Sequence, residues 1–272
     1  MLPYPQIDPV AIAIGPVQVH WYGLTYLAAL AFAWWLGARR SRLPSSPISR
    51  EQVDDLIFFG ALGVVLGGRI GYILFYGLDQ LLSDPTWALR VWEGGMSFHG
   101  GFLGVLAAMY LFAKRRKIVF GDVMDFVAPL VPIGLAFGRL GNFIGQELWG
   151  RASDVPWAMI FPNDALQLAR HPSQLYQFAL EGLLLGLILI VYSAKPRPTW
   201  AVSGVFSLGY GVLRFFVEFF REPDRHIDYL ALGWMTRGQL LCLPMIALGV
   251  FLLIYAYRGV GNWQGKAKST RT

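Results

Sequence analysis

Gly138-Arg139-Leu140-Gly141-Asn142-Phe143-Ile144-Gly145-Gln146-Glu147 closes an apolar run that begins near Phe126. An arginine, an asparagine and a glutamate therefore stand where a bilayer would end, or just inside it. Placing an isolated charge at the bilayer centre costs at least ~3 kcal/mol. A residue kept at that cost serves a function or a buried ion pair. Whether this run spans a membrane decides the fold class, and the composition answers it.

The 272 residues are 55% hydrophobic and only 15% charged, against about 25% charged in an average soluble domain. Crossing ~30 Å of hydrocarbon takes about 20 apolar residues. Segments of that kind fall near 20–38, 56–76, 96–113, 123–142, 174–193, 202–220 and 238–257. The expectation is an all-α integral membrane protein, a bundle of about seven transmembrane helices. It forms a single polytopic membrane domain over 1–272, with 143–173 as a small periplasmic head or lid within it. No soluble domain of ordinary size fits between the runs.

Basic residues set the orientation. Arg39, Arg40, Arg42 and Arg50 follow the first run, and Lys114, Arg115, Arg116 and Lys117 the third. Lys195 and Arg197 follow the fifth, and Arg258, Lys266, Lys268 and Arg271 the seventh. Lysine and arginine accumulate on the cytoplasmic side. The N-terminus and the loops after the second, fourth and sixth runs then face outward, and the C-terminus faces the cytoplasm. The net charge of +6 serves this asymmetry, and no nucleic-acid partner is expected. Residues 1–19, with Pro3, Pro5, Pro9 and Pro16 but no basic start, read as an external segment along the membrane surface rather than a cleaved signal peptide. The single cysteine, Cys242, lies in an apolar run, where a thiol is inert. No cluster has metal-ligand spacing, so no metal or other cofactor is expected. The absence of an internal repeat weighs against a transporter.

Several polar residues need an explanation. Arg69 lies inside the second run with Tyr72 and Tyr76 on its face, and a structural role weighs as much as a functional one. His99, between Gly94-Gly95 and Gly100-Gly101, is a candidate cavity residue, because non-helical backbone at membrane depth must line protein or water. His20, His171 and His226 sit at membrane edges. Arg139 and Asn142 are spaced i, i+3 and share a side of a helix end. The competing reading is an Arg139–Glu147 pair that merely closes the bundle. In the sixth run, Tyr210, Arg214, Glu218 and Arg221 form one helical stripe that cannot face lipid. Two such stripes leave net positive charge beside an outward cavity, which suits an anionic ligand such as a phospholipid headgroup. Asp122 and Asp125, near a helix start, suit the dipole, and Glu181 is expected to pair internally.

Ordered blocks then become recognisable. They are His20-Trp21-Tyr22-Gly23-Leu24, Gly67-Gly68-Arg69-Ile70-Gly71-Tyr72, Gly94-Gly95-Met96-Ser97-Phe98-His99-Gly100-Gly101 and Gly138-Arg139-Leu140-Gly141-Asn142-Phe143. Glu147-Leu148-Trp149-Gly150-Arg151, His171-Pro172-Ser173-Gln174-Leu175-Tyr176 and Tyr210-Gly211-Val212-Leu213-Arg214 continuing to Glu218-Phe219-Phe220-Arg221 complete them. Together they cover nearly the whole chain, which resembles the bacterial prolipoprotein diacylglyceryl transferase family. The resemblance implies a monomeric inner-membrane enzyme whose partners are phosphatidylglycerol, the lipobox of a prolipoprotein signal peptide and the bilayer. It would move a diacylglyceryl group onto the lipobox cysteine and release glycerol phosphate. By the same resemblance Arg139 and Arg214 would hold the phosphate and His99 would assist deprotonation of the thiol. Tyr22, Asn142, Glu147, Gly150, Tyr210 and Glu218 would shape the site. The chain departs from many members at Gly145, commonly asparagine, and at Gln146, commonly a small residue. A transporter or flippase for an anionic lipid or solute, and a non-catalytic scaffold, are the alternatives.

Overall fold

A computed structural model describes residues 2–15, 17–222 and 235–259. His226, Lys266, Lys268 and Arg271 lie outside them. In chain order come β1 (Leu2–Pro3), β2 (Val10–Ile14), β3 (Val17–His20), α1 (Trp21–Arg40), α2 (Arg50–Tyr76), α3 (Leu78–Ser83) and α4 (Phe98–Arg116). Next are α5 (Phe120–Val127), α6 (Val131–Ile144), β4 (Met159–Ile160), β5 (Ala169–Arg170), α7 (Ser173–Gln177), α8 (Leu185–Tyr192), α9 (Ala201–Val217) and α10 (Arg237–Tyr257).

The protein is mostly helical. Five helical stretches among the described residues are long and apolar enough to cross a membrane: Arg50–Tyr76, Phe120–Ile144, Ser173–Tyr192, Ala201–Phe220 and Arg237–Tyr257. They coincide with five of the expected runs. The other two runs are occupied by α1 and α4, of 20 and 19 residues. Trp21, Tyr22, Tyr26, Trp34 and Trp35 lower the hydropathy of α1, and His99, three glycines and three basic residues lower that of α4.

The chain divides into two compact units. One comprises Met1–Leu36 and Asp125–Thr272, the other Gly37–Met124. In the Gly37–Met124 unit, α2 and α4 pack with their backbones nearly touching. A Cβ on Gly71 would come within 2.7 Å of Gly100 Cα, so neither helix tolerates a side chain there. Ser97 caps α4 by accepting from the Gly100 amide at 3.2 Å. Arg69, buried within α2, reaches out of its helix to the 84–95 loop. Its Nε donates to the Ala88 carbonyl at 3.0 Å and its Nη1 to those of Gly94 and Gly95 at 2.6 and 3.2 Å, while Nη2 donates to the Trp87 carbonyl. Its guanidinium also lies 4.2 Å from the centre of the Trp87 ring. Arg69 is thus a structural clamp, bonded to carbonyls rather than to the acidic partner a salt bridge would need.

In the other unit, α8 and α9 share a core of Leu185, Leu189 and Val202 on Ala128, with Tyr210 and Leu213 at its margin. Residues 143–173 fold around a second core of Tyr4, Phe143, Met159 and Phe161, against which Trp149 and Leu175 pack. The N-terminal residues take part: β1 pairs in parallel with β4, and β4 pairs antiparallel with β5. β2 and β3 form a separate hairpin, whose alternating Val10, Ile12, Ile14 and Val19 favour strand geometry. Residues 1–19, expected to lie flat on the membrane surface, are therefore largely β-structure. Inside the 143–173 segment, Asp164 and Arg170 form a fully buried ion pair at 2.7 Å. The guanidinium holds the Asp164 carboxyl below the usual carboxylate range.

Candidate active site

The candidate site residues of the Met1–Leu36 and Asp125–Thr272 unit gather on three helical stretches. Arg139 comes from the last turn but one of α6. Its Nη1 donates to Asn142 Oδ1 at 3.2 Å, and Asn142 Nδ2 in turn donates to Glu147 Oε2 at 3.3 Å. Asn142 therefore stands between the arginine and the glutamate and bonds to each. It also fixes the turn after the helix, because the Glu147 amide donates to the Asn142 carbonyl at 2.8 Å.

That turn is unusual. Gln146 and Leu148 both have left-handed backbones, φ 55° and 57°, a conformation that non-glycine residues adopt at some cost. The departure at Gln146 has a structural use: its Oε1 accepts from the Asn163 amide at 2.9 Å and ties the helix end to the 143–173 segment. Gly145 has an ordinary helical φ of −73°, so its backbone does not require glycine.

The stripe read from sequence is continuous in space. Arg214 Nη2 lies 2.9 Å from Glu218 Oε2, and the same oxygen accepts from Arg221 Nη1 at 3.2 Å. Thr236, before α10, donates to Glu218 Oε1 at 3.2 Å. Glu218 is thus a buried hub for two arginines. Tyr210, one turn before Arg214, stacks on Phe206 and lies within electrostatic reach of Arg139 and Arg214.

The third stretch carries Glu181, which the sequence placed only as an internally paired residue. After α7 the helix widens into a π-helical turn, Phe178–Leu184. Such turns insert an extra residue and re-aim the side chains around them. Gln174, Gln177 and Glu181 are completely buried here. Gln174 Nε2 donates to the Glu147 carbonyl at 2.7 Å, and Gln177 Oε1 accepts from Arg214 Nη1 at 3.3 Å. Glu181 Oε1 lies 3.7 Å from Arg214 Nη1, too far for a hydrogen bond but within an ion pair. Gly182 brings this turn against α6: a Cβ there would fall 2.6 Å from Ala136 Cβ. As a result Arg139 is in the field of Glu181, Arg214 and Arg221.

The remaining expected residues fall in different places. Tyr22, on α1, faces α6, where a Cβ on Gly141 would come 3.2 Å from its ring. Its hydroxyl bonds to that of Tyr26 at 3.1 Å, and both Arg139 and Glu147 act on it electrostatically. Gly150 is a packing position. Its amide donates to the His171 carbonyl at 2.8 Å, and a Cβ would sit 2.7 Å from that of His171. His99 belongs to the Gly37–Met124 unit, where it is exposed in the first turn of α4 beside Phe98. His171, read as an interfacial residue, is built in: its Nδ1 lies 2.9 Å from the Tyr176 hydroxyl, which also accepts from Trp157 Nε1 at 2.6 Å. Burial holds the His171 imidazole below its ordinary pKa.

These features define a membrane-embedded protein with a buried, arginine-rich polar centre suited to an anionic ligand. A family profile described as prolipoprotein diacylglyceryl transferase matches residues 9–255. The chain is 62% identical over 258 residues to the phosphatidylglycerol–prolipoprotein diacylglyceryl transferase of Azotobacter vinelandii, covering 95% of this chain and 97% of that one. It is 61% identical to the protein of that name from Ectopseudomonas mendocina over the same shares of each chain. Identity to the one from Pseudomonas entomophila is 59%, covering 99% and 100%. The chain belongs to the prolipoprotein diacylglyceryl transferase family and is, with it, a membrane transferase.

Proposed function

We propose that this chain transfers the diacylglyceryl group of phosphatidylglycerol to the lipobox cysteine of a prolipoprotein. The observation that carries the reading is the field shared by Arg139 and Arg214, on two different helices and anchored by Asn142 and Glu218. Two fixed guanidinium groups match the oxygens of a phosphodiester. In the reaction a sulfur–carbon bond forms at the diacylglycerol carbon and the carbon–oxygen bond to phosphate breaks. The bonding pair leaves with the oxygen as glycerol phosphate, and the thiol proton passes to a base. Charge builds on the departing phosphate, and preorganised arginines in a water-poor site stabilise it more than solvent would.

Asn142 aims Arg139, and Glu218 aims Arg214. Tyr22, Tyr210 and Glu147 border the ligand, and Gly150 keeps the 143–173 segment closely packed. The resemblance assigns the thiol proton to His99, and a thiolate is the stronger nucleophile. α1 and α4 complete seven spans of one membrane domain. The basic residues after α1, α4, α8 and α10 face the cytoplasm, the N-terminus and the 143–173 head face the periplasm, and the monomer resides in the inner membrane.

The test is purified protein in detergent with phosphatidylglycerol and a lipobox peptide. Release of glycerol phosphate together with a thioether-lipidated peptide is expected. A flippase would yield no covalent product there, and that outcome rejects the reading. Loss of transfer in a folded His99→Gln variant, with recovery as pH is raised, supports the histidine's assigned role.

A further inference from the structure

A groove of about 410 Å³ lies where the 143–173 segment meets the ends of two apolar helical stretches. Its size is within the range of small-ligand sites. Val155 and Trp157 of the segment form one wall. Ala179 and Leu180 of the π-helical turn form a second, and Phe216 of α9 with Phe220 just beyond it forms the third. These residues interleave in sequence with Gln177, Glu181, Arg214 and Glu218, so the groove and the polar centre occupy different faces of the same helices.

No lining residue carries a charge at pH 7, because burial holds the imidazole of His171 below its ordinary value. The polar tips of the wall are already spent. Trp157 Nε1 donates to the Tyr176 hydroxyl at 2.6 Å, which leaves the hydroxyl proton for His171 Nδ1 at 2.9 Å. The His171 ring meets that of Phe220 edge-on at 5.2 Å. A ligand therefore meets hydrocarbon and aromatic surface. The groove is open where Trp157, Ala179 and Phe216 are exposed. One turn further along their helices Leu183 and Val212 are exposed too, followed by Leu187. The groove thus continues the apolar surface that a membrane-spanning helix turns to lipid.

We infer that this groove seats one acyl chain of a bilayer phospholipid, whatever its headgroup. A peptide would bring backbone N–H and C=O groups that must find partners, and the lining has none to give. An acyl chain needs none, and it reaches the groove without leaving hydrocarbon. Seated there, it joins Trp157 of the 143–173 segment to Phe216 of α9. The site is separate from the residues proposed to hold phosphate, so the inference does not depend on the transferase reading.

Photolabelling of the purified protein in detergent tests it, with hexadecanol carrying a diazirine in its chain as a probe that has no phosphate. Saturable labelling at Trp157, Ala179, Leu180 or Phe216 is expected, displaced by phosphatidylcholine and phosphatidylglycerol with similar potency. Ala179→Trp, at an exposed position, fills the groove and should weaken half-saturation about tenfold or more. Leu187→Trp, on the same helical stretch but outside the groove, should label like wild type. Labelling that does not saturate and spreads evenly over Leu183, Leu187 and Val212 means a bare lipid-facing surface and overturns the inference. Displacement by phosphatidylglycerol alone would place the lipid by its headgroup, and displacement by a lipobox peptide but not by phosphatidylcholine would make the occupant a peptide; either overturns it. If Ala179→Trp does not fold, saturation and displacement in the wild-type protein decide.

Discussion

Glu218 grips Arg214 from one helical turn away, at 2.9 Å, while also holding Arg221 at 3.2 Å. A single buried carboxylate thereby fixes the direction of two guanidinium groups. Removing one partner of a buried ion pair typically costs about 3–5 kcal/mol. Glu218→Ala is expected to lower the melting temperature in detergent. Transfer should fall on the order of 100-fold, the cost of a small misplacement of a binding group. Unchanged kinetics in a folded variant would refute the hub assignment.

Arg139 has a different kind of partner, the neutral amide of Asn142. Lysine at 139 keeps the charge but lacks the planar fork. Arg139→Lys should fold normally and lose on the order of 100-fold in turnover, the usual effect of removing a preorganised donor. Steady-state rates with phosphatidylglycerol and a lipobox peptide measure it. Near-normal turnover would show that only a point charge is needed.

The Asp164–Arg170 pair gives the 143–173 segment a pH dependence. Arg170 lowers the folded pKa of Asp164 below its unfolded value. The resulting stability is fully present above the ordinary carboxylate pKa of about 3.9. It is lost as pH falls through the lower, folded value. Asp164→Asn should make this segment less stable at neutral pH by about 3 kcal/mol, because it leaves the buried Arg170 with only its 3.3 Å ion pair to the partly exposed Glu222. Limited proteolysis between residues 150 and 170 should show faster cleavage of the variant at pH 7 and a smaller difference in acid well below the ordinary carboxylate pKa of about 3.9.

Arg69 anchors the 84–95 loop through four carbonyls and the face of the Trp87 ring. A lysine has one nitrogen and cannot reach Trp87, Ala88, Gly94 and Gly95 together. A buried carbonyl left without a donor costs about 1–3 kcal/mol, and these part-buried ones cost less. Arg69→Lys is expected to raise amide hydrogen exchange across residues 84–97 without a matching change around Arg139. Exchange at the wild-type rate would remove the clamp.

Much of this architecture can be read from residue spacing. The i, i+4, i+8, i+11 set of Tyr210, Arg214, Glu218 and Arg221 named the α9 stripe, and the i, i+3 spacing of Arg139 and Asn142 put them on one side of a helix end, where they hydrogen-bond. Such spacings work because a regular helix repeats. Glu181 was expected to pair internally, and it does, with Arg214. Its partner was not legible, because the π-helical turn shifts the register that spacing arguments assume. The strands escaped for a related reason: Leu2–Pro3, Met159–Ile160 and Ala169–Arg170 are each too short to show alternation. Gly150 was named from the family blocks as a residue that shapes the site, and only the proximity of the His171 side chain reveals what its missing Cβ does.

The Tyr4 hydroxyl donates to the Phe143 carbonyl at 2.7 Å across 139 residues of chain. That bond has a consequence for biogenesis. At about 5–20 residues per second, the ribosome needs roughly 7–28 s to deliver Phe143 after Tyr4. Throughout that interval the apolar surface of the N-terminal segment has no core to join. Closure of this part of the molecule around Tyr4 therefore belongs to the second half of synthesis.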